Sequence, residues 1–427
     1  MRAHGTVNTI FKQHPRHKPR PWIKGCAFQL PQQLPKAQRR LSHKLINWAS
    51  LLDDTTEQQA KQTARMPFIH PHIALMPDAH SGKGSAVGTV IPTLGAVIPA
   101  AVGVDIGCGM VGVQTHIHHR TIEHLPLSDL REMIEETIPL SPGNYNDHLT
   151  RFDFTAPRIH ALEVHAHDNQ VDLTHSPKWR NQLGSLGGGN HFIELCLDET
   201  DHVWLFLHSG SRGVGNKIAQ KHIKIAQQLC AQWWIDLPSR DLAYLAEGTL
   251  EFSTYLRDLT WAQKFAFENR AEMMDRFVAV FTQWSGTDDV EVERINCHHN
   301  YTVKERHAGK DVWLTRKGAV DAHEGVRAMI PGSMGTRSYV VTGLGNRAGL
   351  CSAPHGAGRR FSRTEARRRF TADDLAARMG GIEYRHGDAW VDEIPDAYKD
   401  IDQVMNDARD LVRVDHTLRQ ILNVKGT

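Results

Sequence analysis

No stretch of this 427-residue chain stays apolar long enough to cross a membrane. The most hydrophobic segment, residues 87–104, is interrupted by Pro92, Pro99 and glycines and runs into Asp105. That composition suits a Gly-rich buried strand region better than a lipid-facing helix. Cysteine is scarce. Cys26, Cys108, Cys196, Cys230, Cys297 and Cys351 are widely spaced with no C-x-x-C pair, which argues against a disulfide framework and for a reducing, cytoplasmic setting. An excess of one charge sign is missing too: 50 Lys and Arg against 48 Asp and Glu leave a net charge of +2. Any hold on a polyanion must therefore come from local clusters. The P-loop spacing G-x-x-x-x-G-K-[ST] does not occur, and neither does K-x-D-G. A nucleotide site here would need other phosphate contacts, and a covalent nucleotide another nucleophile.

Histidine, by contrast, is abundant, with 27 residues. Imidazole titrates near neutrality and is the commonest transition-metal ligand, so the excess favours metal or proton chemistry. Several histidines, such as His116, His118 and His119, sit in polar stretches and read as plain surface. The first 25 residues are polar and basic, lack the apolar run of a secretory signal, and read as an arm. Residues 31–66 are expected to be helical, since Leu41, Leu45, Ile46, Trp48, Leu51 and Leu52 recur at helix-like spacing. From about 68 to 116, and again over 184–210, short β-branched runs broken by Gly and Pro read as strands. Helices are expected over 216–234 and about 253–284, strands near 311–343, a basic helix from Ser362, and a last helix over 399–412. The fold class is α+β, with central Gly-rich sheets flanked by helices and helical insertions. Residues 1–66 read as a basic arm plus helical segment, and 67–427 as a single catalytic domain.

Four glycine-dense segments end apolar runs and carry metal-ligand side chains. They are GVDIGCGM with Asp105 and Cys108, GGGNHFIE with Asn190, His191 and Glu194, LHSGSRGVGN with His208 and Arg212, and INCHHNY with His298 and His299. A thiolate, a carboxylate and several imidazoles form a mixed hard and soft set that suits divalent first-row metals, and a bridging thiolate could hold two. Each segment alone is weak, because a buried cysteine is usually a small hydrophobe. The recurrence carries the argument. A fifth segment, SAPHGAGRRFSRTEARRR, follows His355 with Gly356 and Gly358, then a Ser362–Glu365 capping pattern and a dense arginine cluster. Glycine-turn N–H groups and a helix start favour phosphate, with Arg359 and Arg363 nearest the glycines. In a sixth, MIPGSMGTRSYVVTGLGN, small residues including Ser333 and Ser338 would let backbone approach a flat ligand.

Together with MPDAHSGKGSAVGTVIP, CHHNYTVKERH and the terminal YKDID…HTLRQILNVKG, these segments resemble the RtcB-type tRNA-splicing and RNA-repair ligases, in order from about Met66 to Gly426. The DIGCGM wording is similar to the bacterial branch. The resemblance implies an RtcB-like fold and a GTP- and Mn(II)-dependent ligase, with GTP as cosubstrate and two metals per active site. It would join RNA 3′-phosphate or 2′,3′-cyclic phosphate ends, including those of broken tRNA, to 5′-hydroxyl ends. It implies that His355 carries the guanylate and that Asp105, Cys108, His191, His208 and His299 hold the metals, His298 being the alternative to His299. It implies a guanylate pocket of Asn190, Phe192, Glu194, Ser333, Ser338, Gly356, Ala357, Gly358, Tyr398 and Lys425. Arg212 would meet RNA phosphate, and Asp78 and His80 would lie near the reactive centre. An archease-like activator is compatible with the resemblance but not implied by it. A dimetal phosphoesterase acting on RNA ends would use the same ligands without needing His355.

Overall fold

Strand-forming sequence in this chain segregates into two large sheets and two two-stranded ones, seen in a computed structural model that describes residues 38–426. The arm expected over residues 1–25 lies outside the described residues. The larger sheet runs, in spatial order, through Glu291–His298, Gly109–His118, His202–Ser209, Phe192–Leu197, Val412–Val424, Ser338–Gly343 and Arg327–Ile330, with Glu383–Tyr384 pairing alongside Val412–Val424. All of these pairs are antiparallel except the last. The sheet curls until Met329 of its final strand packs directly on Gly112 of its second, so it is nearly closed. The other large sheet has six strands, Arg39–Ser42, Leu45–Asn47, Ile73–His80, Val87–Thr93, Lys310–Lys317 and Asn300–His307.

Side-chain alternation explains how the larger sheet is covered. Val203, Leu205 and Leu207, with Ile193, Leu195 and Leu197, point to one face and pack with Met273, Met274, Phe277 and Phe281 of the long helix Leu250–Ser285. Trp204 and Phe206, with Phe192 and Cys196, point to the opposite face and join Val90, Val312 and Leu314 of the six-stranded sheet. Period-two alternation puts His208 and Glu194 on that second face too, between the sheets.

The helix expected over 31–66 is confined, among the described residues, to Asp54–Ala64, capped by the Asp53 carboxylate accepting from the Thr56 backbone N–H. Leu41 and the Leu45–Ile46 pair lie in strands instead. The reason is tertiary: Leu45–Asn47 pairs in parallel with Ile73–His80, and the neighbours Leu45 and Ile46 pack into different cores, as strand residues do. The last helix is shorter than expected, Ile401–Asp407, and is followed by the 13-residue strand Val412–Val424. Helices Leu127–Thr137 and Thr155–Asp168 were not anticipated. The helix Arg212–Gln232 covers the expected 216–234 except its last two residues, which form a turn, and Leu250–Ser285 contains the other expected range. Gly107, Gly109 and Gly112 stand at dinucleotide-loop spacing, but they run from a turn into a strand rather than from a strand into a helix.

Candidate active site

Four adjacent strands of the larger sheet end at one edge. In register, Gly109 stands opposite both Ser209 and His298, and His208 opposite both Met110 and Phe192. That pairing gathers Cys108, which precedes one strand, His191, which precedes another, His208 near the end of a third, and His299, where the chain passes from one sheet to the other. Asp105 enters from the turn before Cys108. It needs a bare backbone beside it, because a Cβ on Gly210 would stand 2.2 Å from Asp105 Oδ1.

The ligand atoms form two groups that share the cysteine, Asp105–Cys108–His191 and Cys108–His208–His299. Cys108 Sγ lies 3.4 Å from His191 Nε2 and 3.2 Å from His208 Nε2, and the Nε2 atoms of His208 and His299 are 2.9 Å apart. His191 Nε2 is 3.0 Å from Asp105 Oδ2. The Nδ1 atoms of His191 and His208 face the backbone carbonyls of Leu186 and Asn190, at 2.9 and 3.1 Å. A carbonyl only accepts, so each Nδ1 carries the ring proton and each Nε2 presents a lone pair. Lone pairs converging on a carboxylate, a sulfur and each other repel unless cations lie among them. The donor set fits divalent metals, with backbone carbonyls orienting the imidazoles as outer partners commonly do. Burial and neighbouring imidazole charge hold His208 and His299 well below the ordinary histidine range, so both are neutral, as ligands must be. Burial and Asp105 push the Cys108 thiol well up, and a bound cation would reverse that. His298 is outside both groups. Its Nδ1 faces the Gly107 carbonyl and the Arg270 guanidinium, and burial with the Arg270 charge lowers it to about 3.

The cluster is braced by residues that carry no sequence signal. Arg270, fully buried in the long helix, donates to the carbonyls of Gly107 and Ser209 and to Asn296 Oδ1. Asn269 beside it donates to the Gly210 carbonyl and accepts from the N–H groups of Gly184 and Ser185. Helix interior positions of this kind show only polarity in a sequence.

His355 lies against the metal-ligand cluster, its ring centroid 4.6 Å from that of His299. Its Nδ1 is 2.6 Å from Asp78 Oδ2, which also accepts from the His355 backbone N–H at 3.1 Å. The carboxylate accepts a hydrogen bond from Nδ1–H, which leaves Nε2 with the free lone pair. Asp78 is wholly buried, and the carbonyls flanking it, of Pro77 and Ala79, both receive the Lys399 ammonium group. The Lys399 backbone N–H in turn donates to the Gly358 carbonyl, tying the His355 loop to the same strand. Gly358 is at φ +73, and a Cβ there would sit 2.2 Å from the Asp78 carbonyl oxygen, so only glycine fits. His80 donates from Nδ1 to the Asp78 carbonyl, and burial lowers its pKa to about 4.

A cleft opens from His355 and His208. Asn190, Phe192, Glu194, Ser333, Gly356, Ala357, Gly358, Tyr398 and Lys425 line it, together with His80, Arg359 and Arg363. Ser338 is not on its wall; buried, it accepts from the Gly332 N–H and shapes the loop that is. Burial, opposed by Lys425, raises the Glu194 carboxyl to about 8. Arg359 and Arg363 bear on acids absent from the sequence-based reading. Arg363 bonds Asp392 and Glu393, while Arg359 bonds Glu393, the Tyr398 hydroxyl and the Asp392 carbonyl. Their charge is therefore already engaged. Arg212 is placed differently. With Asp105, His191, Gly188, Gly213 and Asn216 it lines a second opening on the cluster, and among the described residues it forms no ion pair. The cleft and this opening each reach the ligand cluster, one at His208 and the other at His191.

Comparison with known proteins gives the same direction. The family model described as "tRNA-splicing ligase RtcB" matches residues 59–426. The RNA-splicing ligase RtcB of Escherichia coli (strain K12) is 47% identical over 384 residues, covering 86% of this chain and 93% of that protein. The tRNA-splicing ligase RtcB of Pyrobaculum aerophilum is 28% identical, over 86% of this chain and 90% of its own.

Proposed function

Because the chain belongs to the RtcB family of tRNA-splicing ligases, we propose that it is an RNA ligase driven by GTP and manganese(II), with His355 as the guanylate carrier. The observation that carries this reading is the place of the His355 ring, between the shared-cysteine ligand cluster and the cleft. Asp105 and His191 would hold one divalent ion, His208 and His299 a second, and Cys108 both. Such ions supply charge neutralisation at reacting phosphates.

The residues of the chain then have separable tasks. Nε2 of His355 attacks the α-phosphorus of GTP, an N–P bond forms, and the bond to pyrophosphate breaks. An oxygen of the RNA 3′-phosphate next attacks the same phosphorus, which returns the lone pair to His355 and leaves the guanylate on the RNA. A 2′,3′-cyclic end must first be opened by water. Finally the 5′-hydroxyl attacks the 3′-phosphorus, GMP leaves, and the hydroxyl proton passes to a base. Asp78 keeps the His355 proton on Nδ1 and balances positive charge as Nε2 bonds phosphorus. Glu194 accepts from the guanine N1–H and amino group, Lys425 donates to O6, and Phe192 packs on the base. Arg212 meets RNA phosphate at the second opening.

Incubation with manganese and α-labelled GTP tests the reading, which predicts acid-labile label on the protein. A protein that takes up no label while cleaving RNA ends would instead be a dimetal phosphoesterase. Asp78→Asn is expected to slow single-turnover guanylylation by about 10³- to 10⁴-fold with GTP affinity little changed. An unchanged rate would remove Asp78 from this role.

Glu194 makes GTP binding depend on pH. In the free protein its carboxyl titrates at about 8, raised by burial. Guanine donors bind the carboxylate form, so binding releases a proton below that pH. Affinity should climb by up to about tenfold per pH unit towards 8 and level off above it. Nucleotide titrations across pH check this, and Glu194→Gln should flatten the profile. A wild-type protein with no slope would contradict it.

A further inference from the structure

The helix Arg212–Gln232 begins at the second opening, where Arg212, Gly213 and Asn216 form part of the wall, and leads away from it for about 30 Å. It carries four cations, Arg212, Lys217, Lys221 and Lys224, and no acid in its 21 residues, in a protein whose total charges nearly cancel. Its buried side holds Ile218, His222, Ile223 and Cys230. Lys217, Gln220, Lys224 and Gln228 are exposed, and their three-and-four spacing sets them on one face. Lys221 pairs with Asp172, whereas Lys217 and Lys224 form no ion pair among the described residues. Just past the helix end stand Trp233 and Trp234, 45% and 93% exposed. An indole left almost fully in water contributes nothing to the core, and at the end of the helix it offers a face on which a base leaving the lysine row can stack.

We propose that this helix is a track for the RNA strand that ends in the 3′-phosphate. Resting on the ligase reading above, the track places the terminal phosphate at Arg212, upstream phosphates along Lys217 and Lys224, and a base stacked on Trp233 or Trp234. Charge favours RNA over a protein partner. Gly213, in the wall of the opening, stands one turn before Lys217 on the same helix, so one strand can pass from the opening to the lysines. The track reads backbone charge and base stacking and is indifferent to sequence.

The experiment compares the full chain with the double variants Lys217→Gln/Lys224→Gln and Trp233→Ala/Trp234→Ala. Affinity is measured by anisotropy in a salt series, using one 3′-phosphate oligoribonucleotide that reaches only Arg212 and one that spans the helix. For the long RNA, the lysine variant should lower the slope of log K against log salt by about 1.4. The tryptophan variant should weaken binding about tenfold. Affinity for the short RNA and labelling by GTP should be unchanged in both. Long-RNA binding unaffected by either variant overturns the track. So does a tryptophan variant that changes only self-association or capture of a protein. Neither binding measurement needs guanylylation, so a wild-type protein that takes up no label would sink the ligase reading and leave the RNA-binding result to stand or fall separately.

Discussion

A protein carrying His355→Ala should fold and bind metal and RNA, yet take up no guanylate. The ring belongs to neither ligand group, so both groups survive its removal. Its loss takes away the lone pair that Asp78 presents and is expected to cut nucleotide transfer by about 10⁵-fold or more, as for other covalent nucleophiles. The side effect is local. The buried Asp78 carboxylate loses its shortest hydrogen bond and, among the described residues, keeps only the residue-355 backbone N–H, a stability cost of about 1–3 kcal/mol. Circular dichroism and metal titration report the intact fold, and labelled GTP reports the lost step. Substantial ligation by this variant would refute the assignment.

The second large effect is expected from Cys108→Ala. Both ligand groups contain this sulfur, so one substitution should weaken both metal positions by well over about 100-fold, the upper range seen when an outer partner alone is lost. His191→Ala and His299→Ala each touch one group, and each should remove one equivalent. Metal should stabilise the wild-type protein by about 2.7 kcal/mol for each occupied site at a concentration 100 times its Kd, and Cys108→Ala should show no such rise. Isothermal titration of the three variants checks the pattern even if one of them folds poorly. Two equivalents bound by Cys108→Ala with undiminished affinity would break the shared-ligand account.

Legibility varied with how local each feature is. The Arg212–Gln232 and Leu250–Ser285 helices were readable because apolar residues recur at three and four over many turns. Ser362 was readable as a helix start, and it does accept from the Glu365 N–H. Residues 39–47 misled because Leu41, Leu45 and Ile46 stand at spacings a helix also allows, while their state is set by strand pairing, Leu45–Asn47 with Ile73–His80 and Arg39–Ser42 with Leu45–Asn47. The arginines after His355 read as free positive charge, but Asp392 and Glu393, some thirty positions on by sequence number, neutralise the first of them.

By itself the sequence determined which chemistry was available. A thiol, a carboxylate and several imidazoles in glycine-dense loops, one further histidine before a glycine turn, and the lack of P-loop and K-x-D-G motifs all follow from residue identity and near-neighbour spacing. Only the tertiary structure decided which of those groups meet. Strand register sets Gly109 against Ser209 and His298, and so selects His299 rather than its neighbour for the cluster. It also placed Asp78 on His355 and left Arg212, rather than Arg359 or Arg363, with its charge free. The physical reason is that hydrogen-bond register and burial act between residues far apart in the chain, and a single sequence records the donors and acceptors without recording their pairing.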